Sequence, residues 1–209
     1  MSLPQIGLQS LRRQPPIDAW STVQVRPVRT LDDLHRAFSI RTAVYMCEQD
    51  CPFDEEFDGN DLNATHLIAE LDGEPVATLR MRWFADFAKL ERVCILPKAR
   101  RKSVVQILVA HGFEIAARKG YRHMIAQIQT RLWPMWQSVM VCSLRRDRPA
   151  FSFSDFDYVE IDIALAEHPN KLGPDTEPFQ IIRPEGDWDR LGVLDASQGR
   201  SVEAEKEAA

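Results

Sequence analysis

The run AKLERVCILPKARRKSVVQILVAHGFEIAARKG (88–120) restricts the fold more than any other part of the chain. AKLERVCIL reads as a strand, and it stops at Pro97, whose missing N–H cannot extend a ladder. SVVQILVAHGFEIAARKG reads as a helix closed by Gly120. Between them lie Lys98, Arg100, Arg101 and Lys102. Cations at a helix start oppose the macrodipole, so the cluster is mildly unfavourable unless an anion is received there. The plainer reading is a solvated surface turn.

The chain has 209 residues, 44% of them hydrophobic, which suits one good core with tails. With a net charge of −5 and no interleaved aromatic and basic pattern, nucleic-acid binding is not expected, and any anion site must be local. The opening MSLPQIGLQSLRRQPPID lacks the features of a secretory leader, and no later apolar run approaches bilayer length. The expectation is a soluble, cytoplasmic protein. Cys47, Cys51, Cys94 and Cys142 read as free thiols. His35, His111, His123 and His168 lack metal-ligand spacing, and His66 reads as a strand residue with a satisfied ring, so no metal is expected.

Residues 1–22, with Pro4, Pro15 and Pro16, predict an irregular arm, and VQVRPV (23–28) a short strand. Thr30 and Asp33 have capping-box spacing ahead of Leu31, Leu34, Phe38 and Tyr45, which fall near one helical face. HLIAEL and PVATLRMRWF predict a hairpin around DGE. HMIAQIQ predicts a buried strand, RLWPMWQSVMVCSL a helix and FSFSDFDYVEIDIAL two strands, giving a mixed α/β order. Residues 166–209 predict a partly disordered tail, with apolar anchors in FQIIRP and DWDRLGVL, and a solvated helix or disorder in VEAEKEAA.

A strand ending in VCILP, then a basic turn, a helix and another strand, resembles the acyl-donor motif of the GNAT N-acyltransferase superfamily. Residues 41–82 resemble the opening of small bacterial GNAT acetyltransferases, with R-x-x-V-F/Y, E-Q and D-x-x-D in order. The spacing of Arg41, Tyr45, Asp58, Asp61 and Arg80 is similar to that of acyl-homoserine-lactone synthases and N-acyl amino acid synthases. The likeness spans roughly 23–165. It implies one GNAT-like α/β (α+β) domain: a twisted, mostly antiparallel sheet flanked by helices and splayed near its middle to admit the pantetheine arm of a thioester. Val93, Cys94 and Ile95 would offer backbone groups to that arm. The turn of Arg100, Arg101, Lys102, Ser103, Val104 and Val105 would face the pyrophosphate of coenzyme A. The implied donor is an acyl-CoA such as acetyl-CoA, or an acyl carrier protein; the implied acceptor is a small-molecule amine, and a homodimer is compatible.

Where the family pattern has Arg/Gln-x-x-Gly-x-Gly/Ala, this chain has Arg100, Ser103 and Val105. A β-branched valine narrows access to backbone amides that glycine would leave open. Three outcomes follow: coenzyme A binds weakly or shifted, a carrier protein presents the same arm, or donor binding is lost.

Aminolysis of a thioester needs a neutral amine, a partner for the oxyanion and an exit for the thiolate. Glu91, on the donor strand, is the candidate base; the rival readings are a strand glutamate paired with Arg80 or Arg82, and Glu70 or water as the base. A backbone N–H near Val93–Ile95 would meet the oxyanion. The family's tyrosine acid is matched here by Trp136, whose indole cannot act as that acid. Trp133 and Trp136 read as core or as acyl-pocket walls, Trp136 being the candidate substrate contact. Arg41, Asp58, Asp61 and Arg80 either bind the acceptor or form a salt-bridged clasp between the first helix and the sheet. A non-catalytic ligand sensor or interaction module on the same fold is the alternative to an N-acyltransferase.

Overall fold

The computed structural model describes residues 4–197. Among these residues eight strands form one sheet: β1 Val23–Pro27, β2 Thr65–Leu71, β3 Glu74–Trp83, β4 Ala88–Ile95, β5 His123–Gln129, β6 Ser143–Leu144, β7 Phe151–Phe153 and β8 Phe156–Ala164. Their order is β1-β2-β3-β4-β5-β8-β6, with β7 also on β8. All pairs are antiparallel except β4 with β5. The helices are α1 Gln5–Gln9, α2 Ile17–Thr22, α3 Leu31–Arg41, α4 Phe53–Glu56, α5 Lys102–Arg118, α6 Trp133–Val139 and α7 Pro178–Ile181. This is the fold class that the resemblance implied. Among the described residues, no helix is long and apolar enough to cross a membrane.

Local chemistry explains the central elements. Asp72 and Gly73 both take positive φ (53° and 83°), the conformation of a tight two-residue turn, and so close the β2–β3 hairpin. The Thr30 side chain accepts from the Asp33 N–H at 3.1 Å, capping α3 where the spacing predicted. α3 runs on into a π-helical turn, Thr42–Met46, which presents Tyr45 to β4. α5 covers one face of the sheet and α3 the other. Leu67, Leu79, Met81, Ile107, Leu108 and Phe113 are fully buried in the core, each contributing about 1.5–3 kcal/mol of apolar burial.

The ends depart from expectation. The arm is irregular only in part: α1 and α2 are helical, and α1 packs on α5 so closely that a Cβ on Gly7 would lie 1.9 Å from the Ala110 carbonyl oxygen. The helix predicted to reach Leu144 ends at Val139, because the Arg12 N–H takes the Val139 carbonyl at 3.0 Å and Leu11 bridges Met140. Ser143–Leu144 then joins β8. In the tail Trp188 is buried, whereas Ile181, Ile182, Leu191 and Val193 are exposed and anchor nothing. VEAEKEAA lies outside the described residues.

Candidate active site

β4 and β5 pair only at Ala88↔Met124, Lys89↔Ile125 and Leu90↔Ala126, and beyond Leu90 they part. A bulge in β4 accompanies the parting: Thr78 and Arg80 oppose Cys94 and Glu91, so β4 carries one residue more than β3 there. Arg92 in the bulge has φ 51°, a conformation that costs a side-chain-bearing residue about 1–2 kcal/mol. Its guanidinium offsets that cost, donating to the Glu55 carbonyl at 2.7 Å and pairing with Glu56 Oε2 at 3.0 Å.

The parted strands enclose a gap of about 100 Å³ lined by Tyr45, Val93, Gln129, Leu132 and Tyr158. On one side it shares Val93, Leu132 and Trp136 with a donor-side cavity of about 400 Å³. On the other it shares Glu91, Arg92, Gln127 and Tyr158 with a chamber of about 420 Å³. A groove thus runs from the cationic turn through the sheet.

Val93, Cys94, Ile95, Arg100, Arg101, Lys102 and Val105 line the donor-side cavity, as does Trp136. The Val93 carbonyl accepts from Tyr45 OH at 2.9 Å, and the Ile95 carbonyl from Arg100 Nε at 3.1 Å. Arg100 also pairs with Glu48. The turn is less open to phosphate than anticipated. Val104 is fully buried in the core with its N–H on the Arg101 carbonyl at 3.1 Å, and Ser103 does not line the cavity. The Arg100 and Arg101 amides are likewise taken, by the carbonyls of Pro97 and Ala99. Lys102 and Ser103, at the first positions of α5, keep N–H groups with no acceptor inside the helix.

The charged constellation is a clasp. Arg41 (0% exposed) binds Glu56 at 2.5 Å and Asp61 at 2.6 Å. Arg80 (1% exposed) reaches Asp58 at 2.6 Å, Glu91 at 2.7 Å and Asp61 at 2.9 Å. Neither arginine lines any of these three cavities, and Asp61 is held between them, so Arg41, Asp61 and Arg80 take the arrangement of the clasp reading rather than that of acceptor contacts. Glu70 pairs with Arg26 at 3.0 Å and lines none of the three cavities, which removes it as a base. The His66 ring is not fully satisfied: Nε2 lies 3.0 Å from the Asp61 carbonyl, while Nδ1 is buried without a partner.

Glu91 does line the gap and the chamber. It meets Lys89 at 2.7 Å as well as Arg80. Burial raises its carboxyl, but Lys89 and Arg80 together outweigh burial and hold it below the usual carboxylate range. Around it lie residues that the sequence reading did not single out: Lys89, Arg92, Gln127, Phe153 and Tyr158. Burial raises the Tyr158 phenol. Glu56, also missed, is raised by burial despite Arg41 and Arg92.

A sheet parted at mid-strand between a cationic turn and a mixed-charge chamber is the geometry of an acyl-transfer fold. The profile of the Acetyltransferase (GNAT) family matches residues 30–138, and the chain belongs to that family, whose class is that of the N-acyltransferases. It is 38% identical over 90 residues to a provisionally named acetyltransferase of Bacillus subtilis, covering 42% of this chain and 61% of that protein. The chain therefore spans about three fifths of that relative's length. The fold is similar to that of an acyl-CoA N-acyltransferase from Pseudomonas aeruginosa (TM-score 0.59, 23% identity, 68% of this chain and 100% of that one). It is also similar to FeeM, an N-acyl amino acid synthase from uncultured soil microbes (TM-score 0.58, 10% identity, 68% and 90%).

Proposed function

We propose that this chain transfers an acyl group from a phosphopantetheine thioester, carried by coenzyme A or by an acyl carrier protein, to the amine of a small molecule, with residues 23–165 as the catalytic unit. The observation that supports this reading most is the parting of β4 from β5 after Leu90, with one groove joining the cationic turn to the chamber. The thioester lies in the gap beside Val93–Ile95, where a backbone N–H meets the developing oxyanion. The amine enters from the chamber. Glu91, with its depressed carboxyl, is a poor store for a proton and a good hydrogen-bond acceptor. It orients the amine and stabilises the positive charge that grows on nitrogen, and the proton leaves through water. Tyr158 keeps its proton at neutral pH and lines both gap and chamber; it takes the role of proton donor to the thiolate that the indole of Trp136 cannot fill.

The test is release of free thiol from acetyl-CoA, a longer acyl-CoA and an acyl carrier protein, each with pooled amines and amino acids. Turnover with at least one donor is expected. The doubly neutralised Glu91 also favours a second reading, a ligand sensor. That reading predicts thermal stabilisation by coenzyme A without thiol release from any donor.

A further inference from the structure

We propose that the N-terminal arm, which lies outside the family-matched range, completes the donor site, with Arg12 and Arg13 binding a phosphate of the phosphopantetheine donor. This rests on the function proposed above and adds a binding element to it.

The first observation is where the arm runs. The Arg12 N–H donates to the Val139 carbonyl at 3.0 Å, and Arg12 Nε to the Gln137 carbonyl at 3.3 Å. One residue further on, the Arg13 carbonyl accepts from Gln106 Nε2 at 2.7 Å. The arm therefore crosses from the end of α6 to the second turn of α5. These are the helices that wall the donor-side cavity through Ser138 and Val139 on one side and Lys102 and Val105 on the other. Gln137 and Gln106 each adjoin a cavity-lining residue in the chain.

The second observation is charge. Most described lysines and arginines lie within 4.0 Å of a carboxylate. Apart from Arg146, those that do not are Arg12, Arg13, Lys98, Arg101, Lys102 and Arg131, all on the elements around the donor groove. In a chain of net charge −5, such a concentration of unpaired cations makes a local positive field that attracts and holds an anion. The third observation is that the turn keeps only the Lys102 and Ser103 amides for a ligand, since those of Arg100, Arg101 and Val104 are already bonded. Side chains must then supply most of the contacts to a phosphate, for which arginine has the better geometry.

The arm is also preorganised for this. The Ile6 and Gly7 N–H groups donate to Glu114 Oε2 at 2.7 and 3.0 Å, and Gly7 allows the close approach to Ala110 already described. Little ordering entropy remains to be lost on binding.

A phosphate ladder tests the assignment by calorimetric titration of the full chain with coenzyme A, 3′-dephospho-coenzyme A, 4′-phosphopantetheine, pantetheine and a holo carrier protein. The expected result is that Arg12→Gln/Arg13→Gln raises the Kd for coenzyme A about tenfold, the scale of one lost charge-assisted contact, and leaves that for pantetheine unchanged. Arg13→Gln alone should do part of this without disturbing the Arg12–Gln137 contact, and Arg13→Lys should restore most of it. A loss that persists with 4′-phosphopantetheine and the carrier protein assigns the arginines to the phosphate those donors share. A loss that vanishes once the 3′-phosphate is removed assigns them to the nucleotide. Either upholds the arm as a donor element. An equal loss for pantetheine, showing that the arm merely shapes the groove, or no loss with any ligand, would overturn it. Wild-type protein that binds none of the five removes the acyl-transfer reading itself, and with it this one.

Discussion

Two charged regions lie on either side of the bulge in β4, and they are built on opposite rules. In the clasp, Arg41 and Arg80 are wholly buried, and Glu56, Asp58, Asp61 and Glu91 supply matched partners at 2.5–2.9 Å. At the donor rim, Lys98, Arg101 and Lys102 are exposed and have no carboxylate within reach among the described residues, with only Glu48 countering Arg100. The buried pairs must be matched because an uncompensated ion in the interior costs several kcal/mol. The exposed ones can remain unmatched because water screens them, and a free cation is available for a ligand. Identical side-chain types are therefore matched by carboxylates in one place and left facing solvent in the other.

The sharpest way to break this contrast is Arg80→Ala. It leaves three carboxylates beside a void and should destabilise the protein by about 3–5 kcal/mol in a denaturant melt. A loss under about 1 kcal/mol would mean the clasp is hydrated and behaves like the rim. Glu91→Gln tests whether one clasp member also serves the reaction: kcat should fall about tenfold or more while donor affinity holds, and equal activity would remove Glu91 from the mechanism. At the rim, Arg100→Ala/Arg101→Ala should weaken coenzyme A binding about tenfold and flatten its salt dependence, with the melting temperature scarcely changed. Unchanged binding would contradict the role given to that turn.

The smallest expected effect is in the acid limb of stability. Against burial, which raises them, Arg80 holds Asp58 below the usual range, Arg41 and then Arg80 do so for Asp61, and Lys89 and then Arg80 for Glu91. Groups depressed on folding stabilise above their unfolded pKa, near 4, and lose that contribution as pH falls through the lower folded values. Glu56, raised by burial, works in the opposite sense and offsets part of the loss. The melting temperature should hold steady from pH 7 to about 5 and drop by several degrees below about pH 4. A flat profile to pH 3 would show that these carboxylates are not coupled to folding.

The β4–turn–α5 unit was legible because its punctuation is local: Pro97 ends the strand, and Gly120, with φ 92°, closes the helix. The β2–β3 hairpin was legible through Asp72–Gly73 in the same way. The clasp was partly legible, since the spacing of Arg41, Asp58, Asp61 and Arg80 raised it as one of two readings. Glu56 was not, for it stands in FDEEF among equivalent acids, and only burial distinguishes it. The stop of α6 at Val139 was hidden because the group that ends it is the Arg12 N–H, more than a hundred residues away in the chain. Tyr158 was read only as part of a strand, since nothing in FSFSDFDYVEIDIAL tells which aromatic will line the gap.

Arg92 ties together parts of the molecule that otherwise touch different reactants. Its guanidinium is fastened to the carbonyls of Glu55 and Glu56 on the chamber wall, while its own backbone sets the course of the strand leading to Val93. An occupant that shifts α4 therefore pulls on the edge along which the pantetheine chain would run. The first reactant to arrive should change how tightly the second is held, and the kinetics should show synergy rather than two independent saturations.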